Sequence, residues 1–85
     1  MSVDTIVTLG QDRRYYLIDE TVQDNKKYFL GTKLNNEDLP TTESEIFEEF
    51  KDDNGTYLTP VIDDEKLNSL AAIFLAKFKK LLEED

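Results

Sequence analysis

The stretch DDNGTYLTPVIDD, residues 52–64, decides how the second half of the chain folds. It opens with the spacing of a calcium loop and with the composition of a turn. An EF-hand loop with Gly55 at its sixth position needs a carboxylate at the first position and a glutamate at the twelfth. Phe50 and Val61 occupy those positions, so the two strongest calcium ligands are missing. We therefore predict that Asn54 and Gly55 form the corner of a type I′ hairpin, because both adopt positive φ at low cost.

The hairpin also bears on the segment that precedes it, SEIFEEFKDD, residues 44–53. Thr42 and Glu45 have the spacing of a helix capping box, and the apolar residues that follow them recur at helical spacing. The same segment would also serve as a strand that pairs with residues 55–62. A hairpin corner needs a strand on each side, so we favour a strand for residues 43–52 and keep a short helix as the alternative.

The segment after the hairpin is predicted as a long amphipathic helix that packs on the sheet. Asp63 is placed to cap its N-terminus, and Asp64 and Glu65 complement the positive end of the helix dipole. Lysines near the other end complement its negative charge. One apolar stripe follows the helical period: Leu67, Leu70, Ala71, Phe74, Phe78, Leu81 and Leu82.

The first half of the chain is predicted as three strands joined by short turns, followed by a loop. The strands cover residues 3–9, 14–22 and 26–34, which are rich in β-branched and aromatic side chains. The polar segment 35–44, broken by Pro40, is predicted to be a mobile loop. The fold class is therefore α+β: an antiparallel meander sheet of about five strands with one C-terminal helix packed on one face, in a single domain of residues 1–85.

Composition limits the functions that this domain can have. The chain has 85 residues, a formal net charge of −9 and no cysteine. The charge opposes direct binding to nucleic acid or to an anionic membrane surface. The sequence shows no secretory leader and no apolar run of about 18 residues that would span a membrane. A cytoplasmic location is the simplest expectation.

The residue types that usually carry catalysis are scarce. The chain has no histidine and no cysteine, which excludes a histidine-based triad and makes zinc or copper sites unfavourable. The three glycines are isolated, so no phosphate-binding loop is present. Neighbouring carboxylates on a strand, such as Glu48 and Glu49, point to opposite faces. We therefore expect a protein that is not an enzyme and that has no cofactor or metal.

The chain resembles a known family in the order of its elements and in one motif. The motif is Leu58-Thr59-Pro60-Val61-Ile62-Asp63 at the entry to the helix, preceded by a strand in which tyrosines stand before aliphatic residues. In these features the whole chain resembles DUF1292, a family of small acidic uncharacterised bacterial proteins from Firmicutes. The resemblance implies a strand at residues 45–52 and a bacterial or phage origin, and it brings no catalytic residues.

Two functional hypotheses follow, both with an unknown protein partner. In the first, the chain is a non-catalytic protein–protein interaction module, and Tyr15 and Tyr16 contact the partner because tyrosine is enriched at interfaces. In the second, the chain is a decoy that mimics nucleic acid and inhibits a DNA- or RNA-binding protein. The carboxylates of the decoy would be Glu43, Glu45, Glu48 and Glu49. A second copy of the chain is a further candidate partner, since an apolar face can close a homodimer.

Overall fold

The fold consists of a five-stranded antiparallel sheet followed by one helix. A computed structural model describes the backbone from residue 3 to residue 83 and the side chains up to residue 80. The strands are paired in sequence order, so the sheet is a meander, and the predicted α+β class is confirmed. The elements are β1 (Thr5–Leu9), β2 (Arg13–Gln23), β3 (Lys26–Leu34), β4 (Pro40–Asp52), β5 (Gly55–Pro60) and α1 (Asp64–Glu83).

The β4–β5 hairpin is confirmed, but its corner differs from the prediction. Asp52 pairs with Gly55, so the two central residues are Asp53 and Asn54, and neither has a positive φ. The Asp52 side chain instead accepts hydrogen bonds from the backbone N–H groups of Asn54 (2.7 Å) and Gly55 (3.1 Å). Such an Asx-turn replaces the backbone geometry of a type I′ corner. The carboxylate of Asp52 therefore serves the turn.

The type I′ pattern occurs instead between β2 and β3. Asp24 and Asn25 have φ values of 53° and 65°, and the flanking residues Gln23 and Lys26 pair with each other. Two consecutive positive-φ residues match the right-handed twist of the adjoining strands. Asn tolerates this conformation because its short polar side chain bonds locally.

The segment 35–44 is a short loop followed by strand, so the loop is shorter than predicted. Only residues 35–39 are irregular, and β4 begins at Pro40. The Asn35 side chain accepts hydrogen bonds from the backbone N–H groups of Glu37 and Leu39. The Thr41 hydroxyl donates to the carbonyl of Lys33, 2.8 Å away. These hydrogen bonds satisfy backbone groups in and beside a segment whose polar composition is typical of a loop.

The sheet curls so that its two edge strands approach each other around an inner face. Val7 of β1 and Leu58 of β5 both pack against one cluster, although the two strands are at opposite ends of the strand order. No pairing joins β1 to β5 among the described residues, so the sheet is barrel-like and open. The centre of this inner cluster is fully buried and consists of Leu17, Phe29 and Phe47.

The opposite face of the sheet, which we call the helix face, packs against the first half of α1. Tyr28 of β3 and Ile46 of β4 form a second buried cluster with Leu70 and Phe74 of α1. The helix-on-sheet prediction is confirmed there. Further along the predicted stripe, Phe78 is 59% exposed, so the packing ends near Phe74. Leu81 and Leu82 lie outside the described side chains.

A β-bulge in β2 sets which of its side chains reach α1. Leu17 pairs with Gly31, whereas Asp19 pairs with Leu30, so Ile18 is the extra residue. A bulge shifts the alternation of the strand by one residue. As a result Ile18 and Asp19 both lie on the helix face, and Glu20 returns to the inner face beside Lys27.

The energy of the helix-on-sheet contact can be measured with paired leucine substitutions. We expect Leu70→Ala to lower the free energy of unfolding by about 2–5 kcal/mol, because it leaves a cavity under α1. Leu75→Ala is the matched control, since Leu75 is 55% exposed and should change stability by less than about 1 kcal/mol. Urea titration followed by circular dichroism measures both values. Equal losses would contradict the packing described above.

Gly31 offers a separate test of the inner face. A Cβ atom at Gly31 would lie 3.1 Å from a ring carbon of Phe47 and 3.4 Å from Leu17. Gly31→Ala should cost about 1–3 kcal/mol, because the buried ring must shift. Gly10→Ala adds the same methyl group where nothing lies within 4 Å, and it should be nearly neutral. A neutral Gly31→Ala variant in the same urea titration would show that the inner face is loosely packed.

Candidate binding groove

An apolar groove runs between the helix face of the sheet and the second half of α1. Its volume is about 850 Å³, within the range of known ligand sites. Three interior strands supply its floor and α1 supplies its wall. The apolar side chains that line this sheet–helix groove include Ile18, Leu30, Ile46, Phe74, Leu75 and Phe78.

The groove is open because α1 makes close contact with the sheet only along its first half. Leu70 and Phe74 are buried, whereas Leu75, the residue after Phe74, and Phe78, one turn beyond Phe74, are more than half exposed. On the sheet side, Ile18 is 44% exposed in the bulge of β2. Apolar side chains of both the sheet and α1 therefore face solvent across the groove.

Lys77 fixes the wall of the groove to its floor. Its Nζ donates a hydrogen bond to Asp19 Oδ1 at 2.7 Å and another to the backbone carbonyl of Glu20. The same ammonium group lies 5.9 Å from the centre of the Phe74 ring. Three partners hold this side chain, so its charge is largely compensated by Asp19.

Lys80 is the second cation that lines the groove. It is exposed, and no ion pair joins it to a carboxylate among the side chains of residues 3–80. Within residues 3–80, Lys80 is therefore a groove-lining cation without a carboxylate partner. Lys79, the preceding residue, is equally exposed but does not line the groove.

The two tyrosines predicted to contact a partner have different positions. Tyr15 is only 4% exposed, and its ring packs edge-on against Phe47 with the centroids 5.1 Å apart. Its place in the inner cluster removes it from any contact surface, which corrects that part of the prediction. Tyr16 is half-buried, and its hydroxyl donates to Asp4 Oδ1 at 2.8 Å. This bond to a carboxylate raises the pKa of Tyr16, and neither tyrosine lines the groove.

The four glutamates proposed as a decoy surface are divided between the two faces. Glu48 lies opposite Tyr28 on the helix face, where Lys66 Nζ approaches its carboxylate at 3.5 Å. Glu45 and Glu49 lie on the inner face, and each has a buried carboxylate oxygen without a hydrogen-bond partner. Only the side chain of Glu43 extends well into solvent, at 70% exposure, beside Lys33. The four carboxylates do not form one row.

Lys66 reinforces the first turn of α1 at the other end of the helix contact. Its Nζ lies 5.6 Å from the ring centre of Tyr28. A hydrogen bond with Tyr28 and the nearby carboxylate of Glu48 both raise the pKa of Lys66. The buried glutamate therefore has a cationic partner that α1 supplies.

Sequence reasoning missed the floor of the groove and one residue of its wall. Leu75 has the i+4 spacing from Ala71 and the i+3 spacing to Phe78, so a wider stripe would have included it. On the floor, Ile18 lies on the face opposite Leu17. Periodicity did not show that α1 would leave this face partly uncovered.

The described residues contain neither a metal-binding cluster nor a membrane-spanning helix. Within residues 3–80, no three histidine, cysteine, aspartate or glutamate side chains are grouped to hold a metal ion. Across the described part of the chain, α1 is too polar to cross a lipid bilayer.

Alkaline pH should weaken the inner face through Tyr15. A hydrogen bond to Glu45, followed by burial, raises the pKa of Tyr15 above its ordinary value of 10.0. The folded chain therefore retains a phenol proton that the unfolded chain releases. The stabilisation is complete below pH 10.0 and is lost as the pH rises through the raised pKa.

Urea titrations between about pH 8 and 11 test this linkage. We expect Tyr15→Phe to lose less stability over this range than the parent chain, because phenylalanine has no proton to release. Tyr57→Phe, at an exposed position, should retain the parental dependence on pH. If the two variants showed the same dependence, Tyr15 would not contribute to the alkaline loss.

No protein-family model, curated protein or solved structure matches the chain. The resemblance to DUF1292 therefore stays a prediction. The groove is the structural feature on which the proposed function rests.

Proposed function

We propose that this protein is a small non-catalytic interaction module that binds a protein partner in the sheet–helix groove. The observation that carries the proposal is the exposed apolar surface on both sides of the groove, with Ile18 on the floor and Leu75 and Phe78 on the wall. Contiguous exposed apolar surface with a polar rim is typical of interaction sites. Isolated exposed apolar residues elsewhere on the chain need no such explanation.

The chemistry of the lining favours side chains of a protein over a small polar metabolite. Small-molecule sites usually combine apolar walls with a few convergent polar groups that orient the ligand. Here the charged lining residues are Asp19, Lys77 and Lys80, and the first two are bonded to each other. Few charged groups therefore remain to orient a polar ligand. An apolar segment of a partner would instead bury the exposed apolar side chains of the floor and of the wall.

The composition supports the same proposal. A chain without histidine or cysteine has few groups for acid–base or nucleophilic catalysis near neutral pH. The lack of cysteine is also compatible with a reducing compartment, and we place the proposed activity in the cytoplasm. The decoy hypothesis has less support, because two of its four carboxylates, Glu48 and Glu49, have largely buried side chains.

Affinity capture with matched variants tests the proposed function. Tagged parent chain, Phe78→Ala and Phe50→Ala would each be incubated with lysate of the source cells and eluted in salt steps. Phe78 lines the groove, whereas Phe50 is an exposed phenylalanine of β4 that does not line it. We expect one partner to stay bound to the parent and to Phe50→Ala through moderate salt, and to be lost from Phe78→Ala.

The reason for this pattern is that apolar contacts are insensitive to salt screening, whereas exposed charge pairs are weakened by it. Circular dichroism would verify that both variants are folded. A partner that binds all three proteins equally would contradict the groove. A nucleic-acid-binding protein that elutes at low salt and is lost on Glu43→Lys would favour the decoy hypothesis instead.

A further inference from the structure

The second half of β2 lies at an open edge of the sheet. β1 pairs with residues 13–17 of β2, and among the described residues no strand pairs with the same side of β2 beyond Leu17. Asp4, the residue before β1, donates its N–H to the carbonyl of Leu17 and has a φ of 64°, which is not the φ of an extended strand. Within the described part of the chain, residues 19–23 therefore have a paired neighbour, β3, on one side only.

The turn that joins β2 to β3 decides which backbone groups point towards the open edge. Gln23 and Lys26 flank a two-residue turn and pair with each other, and such a pair is hydrogen-bonded across the turn. Hydrogen-bonded and non-hydrogen-bonded pairs alternate along an antiparallel ladder. Thr21 therefore bonds to β3, whereas Glu20 and Val22 direct their N–H and C=O groups outward.

An ion pair occupies both outward groups of Glu20. Its N–H donates to Asp19 Oδ1 at 2.8 Å, and its carbonyl accepts a hydrogen bond from Lys77 Nζ. Asp19 and Lys77 are themselves paired at 2.7 Å, so together they supply the acceptor and the donor that a neighbouring strand would supply. Because Lys77 belongs to α1, the helix closes the edge of β2 at this point. We call this arrangement the Asp19–Lys77 cap.

Without the cap, the edge of β2 is complementary to a second copy of itself. An open strand edge is a template for pairing with another chain, and in a two-fold contact the same edge serves both copies. Outward-facing residues must lie opposite each other, so the symmetry axis passes through Glu20, Thr21 or Val22.

The charges of β2 select one of these registers. An axis through Glu20 places this carboxylate opposite its own copy, and an axis through Val22 places Glu20 opposite Asp24. An axis through Thr21 places Glu20 opposite Val22 and Thr21 opposite its own copy, so no like charges face each other. Like charges directly opposite destabilise a pair of strands, whereas a pair of threonines is favourable.

From this geometry we infer that residues 19–23 of β2 form a site for strand addition by a second copy of the chain, and that the Asp19–Lys77 cap keeps this site closed. The inference goes beyond the proposed function, since it concerns the edge of the sheet and not the apolar lining of the groove. While the cap is in place the chain stays monomeric. When the cap is removed, two copies join through β2 into one continuous sheet.

Light scattering after size exclusion tests the cap through the molar mass in solution. We expect the parent to have the mass of one chain at every concentration, and Lys77→Ala to approach the mass of two chains as its concentration is raised. Asp19→Ala removes the other half of the cap and should behave in the same way. Lys79→Ala is the matched control, because it removes the same charge from an exposed position of α1 that makes no hydrogen bond to β2.

The control matters because each chain has a net charge of −9, which opposes association in general. Both lysine variants increase this repulsion equally, so only a specific contact would make Lys77→Ala associate. Circular dichroism would verify that all variants are folded. Cap variants that stay monomeric, a parent that is already dimeric, or equal association of Lys77→Ala and Lys79→Ala would overturn the inference.

A second substitution in Lys77→Ala shows whether the association uses the edge of β2. Val22→Pro removes an outward N–H group and no bond to β3, and proline is tolerated at such edge positions. We expect the double variant to return to the mass of one chain. Val22→Thr in the same background keeps the N–H and the β-branched shape, so it should still associate.

Amide hydrogen exchange gives a readout that does not depend on the proline variant. In Lys77→Ala, exchange at Glu20 and Val22 should slow as the chain associates, whereas the Thr21 amide, which bonds to β3, should be protected throughout. Association that persists in the Val22→Pro variant, or that leaves exchange at Glu20 and Val22 unchanged, would place the contact elsewhere, for example at the groove, and would overturn the inference.

Discussion

The structure depends on the need to cover two apolar faces of one sheet when α1 packs on one of them. Every interior strand carries large apolar side chains on both faces, as Tyr28 and Phe29 show in adjacent positions of β3. The inner face is covered because the sheet curls onto itself. The helix face is covered by α1 and by Val61, and among the described side chains α1 makes buried contacts as far as Phe74. The groove is the part of that face which α1 leaves uncovered.

Charged pairs fix α1 on the sheet at both ends of the apolar contact. Lys66 approaches Glu48 near the start of the helix, and Lys77 is bonded to Asp19 three turns later. Exposed ion pairs contribute little to stability, but these two bracket the buried residues Leu70 and Phe74. They limit how far α1 can rotate or slide on the helix face, so the groove keeps its width without further covering elements.

Periodicity predicted the elements of the fold because each signal was local. The turn at residues 23–25 and the helix after Asp63 were found from short-range chemistry, and the Asn54-Gly55 pair correctly indicated a hairpin. The same reasoning placed positive φ at Asn54, because it did not include the Asp52 side chain as a turn acceptor. It also began the fourth strand at residue 43 instead of Pro40, since the polar composition of residues 40–42 hid the start of a strand that pairs with β3.

The candidate site was harder to predict, because its exposure depends on which face of the sheet is buried when the sheet curls. Alternation showed that Tyr15 and Tyr16 point to opposite faces, and Tyr15 was as good a surface candidate as Tyr16 on that basis. The curl of the sheet, which brings β1 and β5 around the same cluster, buries Tyr15. Curl is a collective property of five strands, and no short segment of the sequence encodes it. The sequence therefore predicted which side chains share a face of the sheet, but it did not predict which face is exposed to solvent.

The bulge at Ile18 separates the two halves of β2 into different alternation frames. Upstream of it, odd-numbered residues such as Tyr15 and Leu17 face inward; downstream, even-numbered residues such as Glu20 do. Without this one residue, Leu17 and Asp19 would follow each other in regular alternation opposite Gly31 and Leu30, so both halves of β2 would keep their faces and only Ile18 would leave the helix face. A single-codon deletion would therefore remove one apolar side chain from the groove while every paired residue of β2 kept its face, whereas a point substitution at Ile18 would leave the bulge in place.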